Sequence, residues 1–167
     1  MTRNRDITPA VPFLFAYNTA SQTISTSGTW LVWDTIPYKT KNFTYTSGSN
    51  KIIINKNSYG FYRIRVDLSV YEVSTSYHTR IQIYKNGTLL NGSVAEGKGN
   101  DANDAVSISL EYIVRLKKDD YIQIKGTADK GNSKTLANSS RIIIEFIPAF
   151  GWNNGSGGRL IKNGVIR

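Results

Sequence analysis

The sequence predicts an all-β, antiparallel sandwich. Between Tyr62 and Val70 the positions Tyr62, Ile64, Val66, Leu68 and Val70 are apolar, and the intervening Arg63, Arg65, Asp67 and Ser69 are polar. That period of two makes a long strand with one face in a core. About ten shorter runs of the same kind recur, separated by turn residues every 8–12 positions or so, which is sandwich spacing. Nothing in the chain has the apolar period of a helix. Immunoglobulin-like, jelly-roll and barrel versions stay open at this level, while the lack of a repeat at about 20–50 residues disfavours propellers and β-helices.

The long strand lies within residues 57–73, and its polar face is mixed. Phe61 and Tyr71 bracket two arginines and an aspartate there. Such a face suits either a second protein surface or a half-solvated sheet.

Composition bounds the rest. A chain of 167 residues, 40% of them hydrophobic, buries roughly 70% of its unfolded surface in one domain and needs no metal or disulfide to do so. There is no cysteine, which excludes thiolate metal sites and cysteine nucleophiles. No run of 18 apolar residues exists, and MTRNRDITPAV has no apolar signal-peptide core. The expectation is a protein made in the cytoplasm, with no membrane partner. The Asn-X-Ser/Thr sequons of the body, at Asn42, Asn86, Asn91 and Asn138, read as turn asparagines. Of the net charge of +9, residues 149–167 carry +3 and residues 1–12 carry +1. The body interleaves its basic residues with acids and hydroxyls, so a phosphate-tracking stripe for nucleic acid is disfavoured.

Taken in order, residues 1–12 form an N-terminal arm, and Pro9 and Pro12 keep it out of a sheet interior. Phe13, Phe15 and Tyr17 share one face of a first strand. Ser21 to Thr29 reads as a hydroxyl-rich connection, TWLVWDTIPY as one short strand ending near Pro37, and NFTYTS and NKIIIN as strands about a Ser-Gly-Ser-Asn turn. In YHTRIQIYK, Ile81 and Ile83 point inward and Arg80, Gln82 and Tyr84 outward; Asn86-Gly87 then supplies a type I′ hairpin turn. Gly92 to Asp104 reads as an exposed loop. AVSISLEYIVRLK places Val106, Ile108, Leu110, Tyr112 and Val114 on one face, Lys118-Asp119-Asp120 turns the chain, and YIQIKGTA returns. A second polar loop, Asp129 to Ser140, precedes RIIIEFIP, where Ile142, Ile144 and Phe146 oppose Ile143, Glu145 and Ile147. Residues 13–148 thus make the domain, and residues 149–167 a glycine- and asparagine-rich C-terminal arm.

The order of WDTIPY, FTYTSGSNKIIINKNSYGFYRIRVDLSVY, IQIYKNGTLL, AVSISLEYIVRLKKDDYIQIKG and RIIIEFIP resembles the globular C1q domain of the C1q/TNF superfamily, from about Phe13 to Pro148. That resemblance implies a ten-stranded jelly roll, a compact homotrimer and binding rather than catalysis. It further implies that Phe61, Arg63, Arg65, Asp67, Ser107, Ser109, Glu111, Ile143, Glu145 and Ile147 face neighbouring subunits, with Arg63 or Arg65 paired to Glu111 or Glu145 across the contact. With neither a collagen-like stalk nor a signal peptide in the sequence, the likeness is to the modules that bacteriophages use as head fibres, capsid decoration proteins or tail-tip binders. The expected function is therefore a non-enzymatic trimeric virion component held to a capsid or other virion protein by its arms. Trp152, Arg159, Leu160, Ile161 and Lys162 are the contact residues of the C-terminal arm. Receptor or glycan binding by a phage fibre or tail tip is the alternative.

Enzymatic readings have few parts to draw on. His78 is the only histidine, it has no carboxylate close in sequence, and it reads as a surface residue. No cofactor is expected. Asp101, Asn103 and Asp104 in one loop, and Asp119-Asp120 in a turn, could offer oxygens to calcium but read as turn formers, so no metal site is expected. For a glycan, Tyr45, Tyr59, Tyr77 and Tyr84 are the stacking residues, and they are equally ordinary cross-strand fillers.

Overall fold

The computed structural model describes residues 11–55, 59–71, 77–99, 104–130 and 133–148. They form β1 (Phe13–Tyr17), β2 (Thr23–Ile24), β3 (Thr29–Trp30), β4 (Thr35–Lys39), β5 (Phe43–Thr44), β6 (Ile52–Ile54), β7 (Gly60–Tyr71), β8 (Tyr77–Lys85), β9 (Thr88–Gly99), β10 (Val106–Leu116), β11 (Tyr121–Ala128), β12 (Ser133–Thr135) and β13 (Arg141–Phe146). Seven make the front sheet, in the order β2-β12-β7-β13-β1-β4 with β10 on the other edge of β7. Six make the back sheet, β5-β6-β11-β8-β9 with β3 beside β11. Every ladder is antiparallel.

The core lies between the sheets and follows the alternation read from the sequence. Tyr62, Ile64, Val66, Leu68 and Val70 of β7, Ile142, Ile144 and Phe146 of β13, and Leu14 and Ala16 of β1 face Ile52, Ile54, Ile81, Ile83, Ile122 and Ile124 of the back sheet, all buried. Each fully buried aliphatic side chain contributes about 1.5–3 kcal/mol by leaving water. The Asn86-Gly87 turn is as expected, with φ of 53° and 78°.

Thirteen strand segments replace the ten expected, and the differences have local causes. Two polar connections contain short strands: β2 and β3 lie within Ser21 to Trp30, and β12, expected as loop, pairs with both β2 and β7. TWLVWDTIPY is not one strand, because between β3 and β4 other groups take the ladder's place. Gln22 accepts from Val32 N at 2.9 Å and donates to Val32 O at 2.7 Å, and the Tyr45 hydroxyl bridges Trp33 N and O at 2.8 Å each. Pro37 sits inside β4 and is tolerated because β4 is an edge strand.

The largest departure is Gly92 to Gly99, expected as loop and found as the second half of β9, paired from Val94↔Gln82 to Gly99↔Tyr77. Its inward residues Ser93, Ala95, Gly97 and Gly99 do alternate with polar ones, but they are small. Gly97 must be, because a Cβ on it would sit 2.6 Å from Ile108 and 2.7 Å from Val106.

Candidate interaction surface

Strand register builds a lattice of side chains on the outer face of the front sheet. One row runs Ile113, Arg63, Glu145, Phe13 across β10, β7, β13 and β1; the next runs Glu111, Arg65, Ile143, Phe15; the third runs Ser109, Asp67, Arg141, Tyr17. Arg115 opposite Phe61 and Ser107 opposite Ser69 extend it at the two ends. Nine of the ten residues expected at a subunit contact therefore share one face, and Ile147 continues it beyond β13, its amide donating to Phe61 O at 2.9 Å. Sequence reading of the contact omitted Phe13, Phe15, Tyr17, Ile113 and Arg141. Their alternation was legible, and what it lacked was which strands lie side by side.

Charges at the centre of this face are paired inside the chain. Arg63 binds Glu145 at 3.0 Å and Glu111 at 3.5 Å, and Arg65 turns instead to Asp67 at 3.1 Å. Within the chain the partners of Arg63 are thus Glu145 and Glu111 on the adjacent strands, because register sets Arg63 directly opposite Glu145. Asp67 also accepts from Arg141 Nε at 2.9 Å and Ser109 Oγ at 2.6 Å. Burial raises the Asp67 carboxyl, and the bonds from Ser109, Arg141 and Arg65 outweigh it, so it lies below its ordinary value of 3.8.

Apolar groups rim this paired centre. Phe13 and Tyr38 meet edge to face at 5.5 Å, and Phe15 lies 6.0 Å from Tyr17. Arg115 stacks over Tyr59 at 4.4 Å. Tyr38, Tyr59 and Ile113 remain 57%, 53% and 47% exposed. A groove of about 540 Å³ opens between Tyr17, Asp67, Ser107 and Asn138.

The other sequence candidates are scattered. Tyr45, expected at the surface, is buried: its one hydroxyl proton is shared between Trp33 O and Ser49 O, the latter at 2.7 Å, and burial pushes its pKa up to about 12. His78 does have a carboxylate partner, Glu96 at 2.6 Å, brought by the neighbouring strand β9 rather than by sequence proximity. Asp120 is buried in its turn and holds Lys85 at 2.9 Å. Among the described residues there is no group of three or more acidic or histidine side chains placed to hold a metal, and no helix long and apolar enough to cross a membrane. The Tyr77 side chain, Asp101 and Asn103 lie outside the described residues, as do the arm residues Trp152, Arg159, Leu160, Ile161 and Lys162.

The two sheets and their strand order define a TNF-like jelly roll, and solved structures agree. Murine APRIL at pH 5.0 superposes with a TM-score of 0.58 at 12% identity, over 83% of this chain and 100% of that one. Murine APRIL at pH 8.0 gives 0.59 at 10% identity, again over 83% and 100%. The Eiger TNF from S. frugiperda gives 0.56 at 11% identity over 82% and 92%. No family model matches the sequence, and no curated protein matches it. At these identities the likeness establishes the jelly-roll fold alone.

Proposed function

We propose that this protein is a non-catalytic structural and binding module that works as a homotrimer, with the outer face of the front sheet packed against neighbouring copies. One observation carries the reading. Aromatic and isoleucine side chains surround a centre whose charges, Arg63, Arg65 and Arg141 with Glu111, Glu145 and Asp67, are neutralised within the chain, and Arg115 at its end lies on the Tyr59 ring, so a second copy covers that centre without stranding a charge. The role is that of a virion component, a capsid decoration or head-fibre module attached by its arms. Support for this part is the sequence resemblance and the composition of residues 149–167, in which Trp152 and Arg159-Leu160-Ile161-Lys162 are separated by glycines. Three arms on one trimer multiply a weak contact through effective concentration.

Ending the chain at Pro148 tests both parts together. The shortened protein is expected to stay a folded trimer and to lose binding to purified particles. Retained binding refutes the anchoring arm, and loss of the trimer with binding unchanged means that the arm caps its own trimer instead.

A further inference from the structure

Opposite the proposed subunit contact, the outer face of the back sheet carries a second constellation. Trp30 of β3 is directly across from Lys125 of β11, which is across from Gln82 of β8; one row along, Gln123 is across from Tyr84. The Trp30 and Tyr84 rings reach each other edge to face at 4.9 Å and 82°. Gln123, although on this outer face, is only 6% exposed, and its amide donates to Asn50 at 3.2 Å. Lys125 Nζ lies over Trp30 at 5.6 Å, and at the end of the same strand Lys51 Nζ lies over Tyr121 at 4.5 Å.

Two properties of this patch point to one ligand chemistry. Its rings are half-buried and fixed at right angles, so each leaves a rigid edge or face for the apolar side of a sugar ring, and Gln82 and Asn50 beside them match sugar hydroxyls. Its two lysines are held on rings and are not ion-paired among the described residues. Glu96 and Asp120 of the same sheet are committed elsewhere, Glu96 to His78 and Arg80 and Asp120 to Lys85. Positive charge with no internal counterion selects an anionic group, and two point cations among amides do not make the continuous track that a nucleic-acid strand requires.

We propose that the patch formed by Trp30, Tyr84, Lys125, Lys51 and Gln82 binds an acidic saccharide, with the rings stacking on the sugar and the lysines taking its carboxylate. On the proposed trimer the three patches would face outward, one per copy, so the site is separate from the subunit contact and independent of it.

Calorimetric titration of the full chain decides the matter, with sialyllactose and oligogalacturonate as probes against lactose, a neutral cello-oligosaccharide, polyglutamate and oligo-dT. The expected result is saturable binding of at least one acidic saccharide, about tenfold or more weaker in Lys51→Gln/Lys125→Gln, unchanged in the distant Lys39→Gln, and absent for the neutral sugars. Equal binding of polyglutamate or oligo-dT, no binding of either acidic saccharide, or an unaffected double variant overturns the proposal. Molecular mass and thermal melt of the same samples keep the readings apart: a monomer that binds leaves the site standing and removes the trimer, and a trimer that binds nothing does the reverse.

Discussion

Arg63 Nη1 lies 3.0 Å from Glu145 Oε1, and the two residues are direct partners across β7 and β13. Arg63 and Glu145 thus cancel each other's charge on the face that also carries Phe13, Ile143 and Ile147. Both side chains are partly exposed in the single chain; on the proposed trimer their pairing avoids the several kcal/mol that each unpaired charge taken out of water costs.

Ile143 and Ile144 should fail differently. Ile144 is fully buried in the sandwich core, and its neighbour is half-buried on the outer face. Ile144→Asp places an unpaired charge in the core and should unfold the domain, a loss above about 4 kcal/mol. Ile143→Asp should keep the far-ultraviolet circular dichroism of the sheets and lose only assembly. Identical behaviour of the two variants by dichroism and mass would mean that the faces are misassigned.

Acid sensitivity follows from Asp67. Because its carboxyl lies below the ordinary value of 3.8 when folded, its contribution is complete above about pH 4 and is lost as pH falls through the folded value. Asp67→Asn should cost about 1–3 kcal/mol at neutral pH, and the gap from wild type should close on acidification. Denaturant titrations at a fixed protein concentration, from pH 7 to 3, would show it; a gap that stays constant contradicts the assignment.

Asp120 anchors the turn between β10 and β11. Its carboxylate accepts from Lys117 N at 2.9 Å, from Asn86 Nδ2 at 2.8 Å and from Lys85 Nζ at 2.9 Å, so one side chain ties that turn to the β8–β9 hairpin. Asp120→Ala leaves those donors unmatched and should lower stability by about 2–3 kcal/mol, read from a urea midpoint. Asp119→Ala, by contrast, removes only an exposed contact to Lys118 at 3.6 Å, although Asp119 has a φ of 69°, so its effect should be within about 1 kcal/mol.

Gly97 is where β9 meets β10. Gly97→Val puts methyl groups into Ile108 and Val106 and should destabilise by about 1–3 kcal/mol. Lys98→Val, on the outward position beside it, should be nearly silent. A Gly97→Val variant that melts with wild type would show that the two strands have room to part.

These residues also mark what the sequence could and could not reveal. The faces of β7, β10 and β13 were legible because large apolar residues alternate with charged ones there. β9 was not, since its inward residues are Ser93, Ala95, Gly97 and Gly99, and small side chains give no hydropathy signal. β12 was hidden in the same way, being held by the Ser133 hydroxyl against Thr79 at 2.6 Å rather than by apolar burial. The burial of Tyr45 depends on the backbone of Trp33, 12 positions away, and no local pattern encodes that. Likewise the Arg63 pairs required knowing that β7 lies between β10 and β13.

The trimer itself is tested most directly by the mass of the full chain in solution, by light scattering after size exclusion at micromolar concentration and neutral pH. The account predicts three times the 18.6 kDa chain mass, falling to that of one chain in Ile143→Asp. A wild-type mass near 18.6 kDa would contradict it.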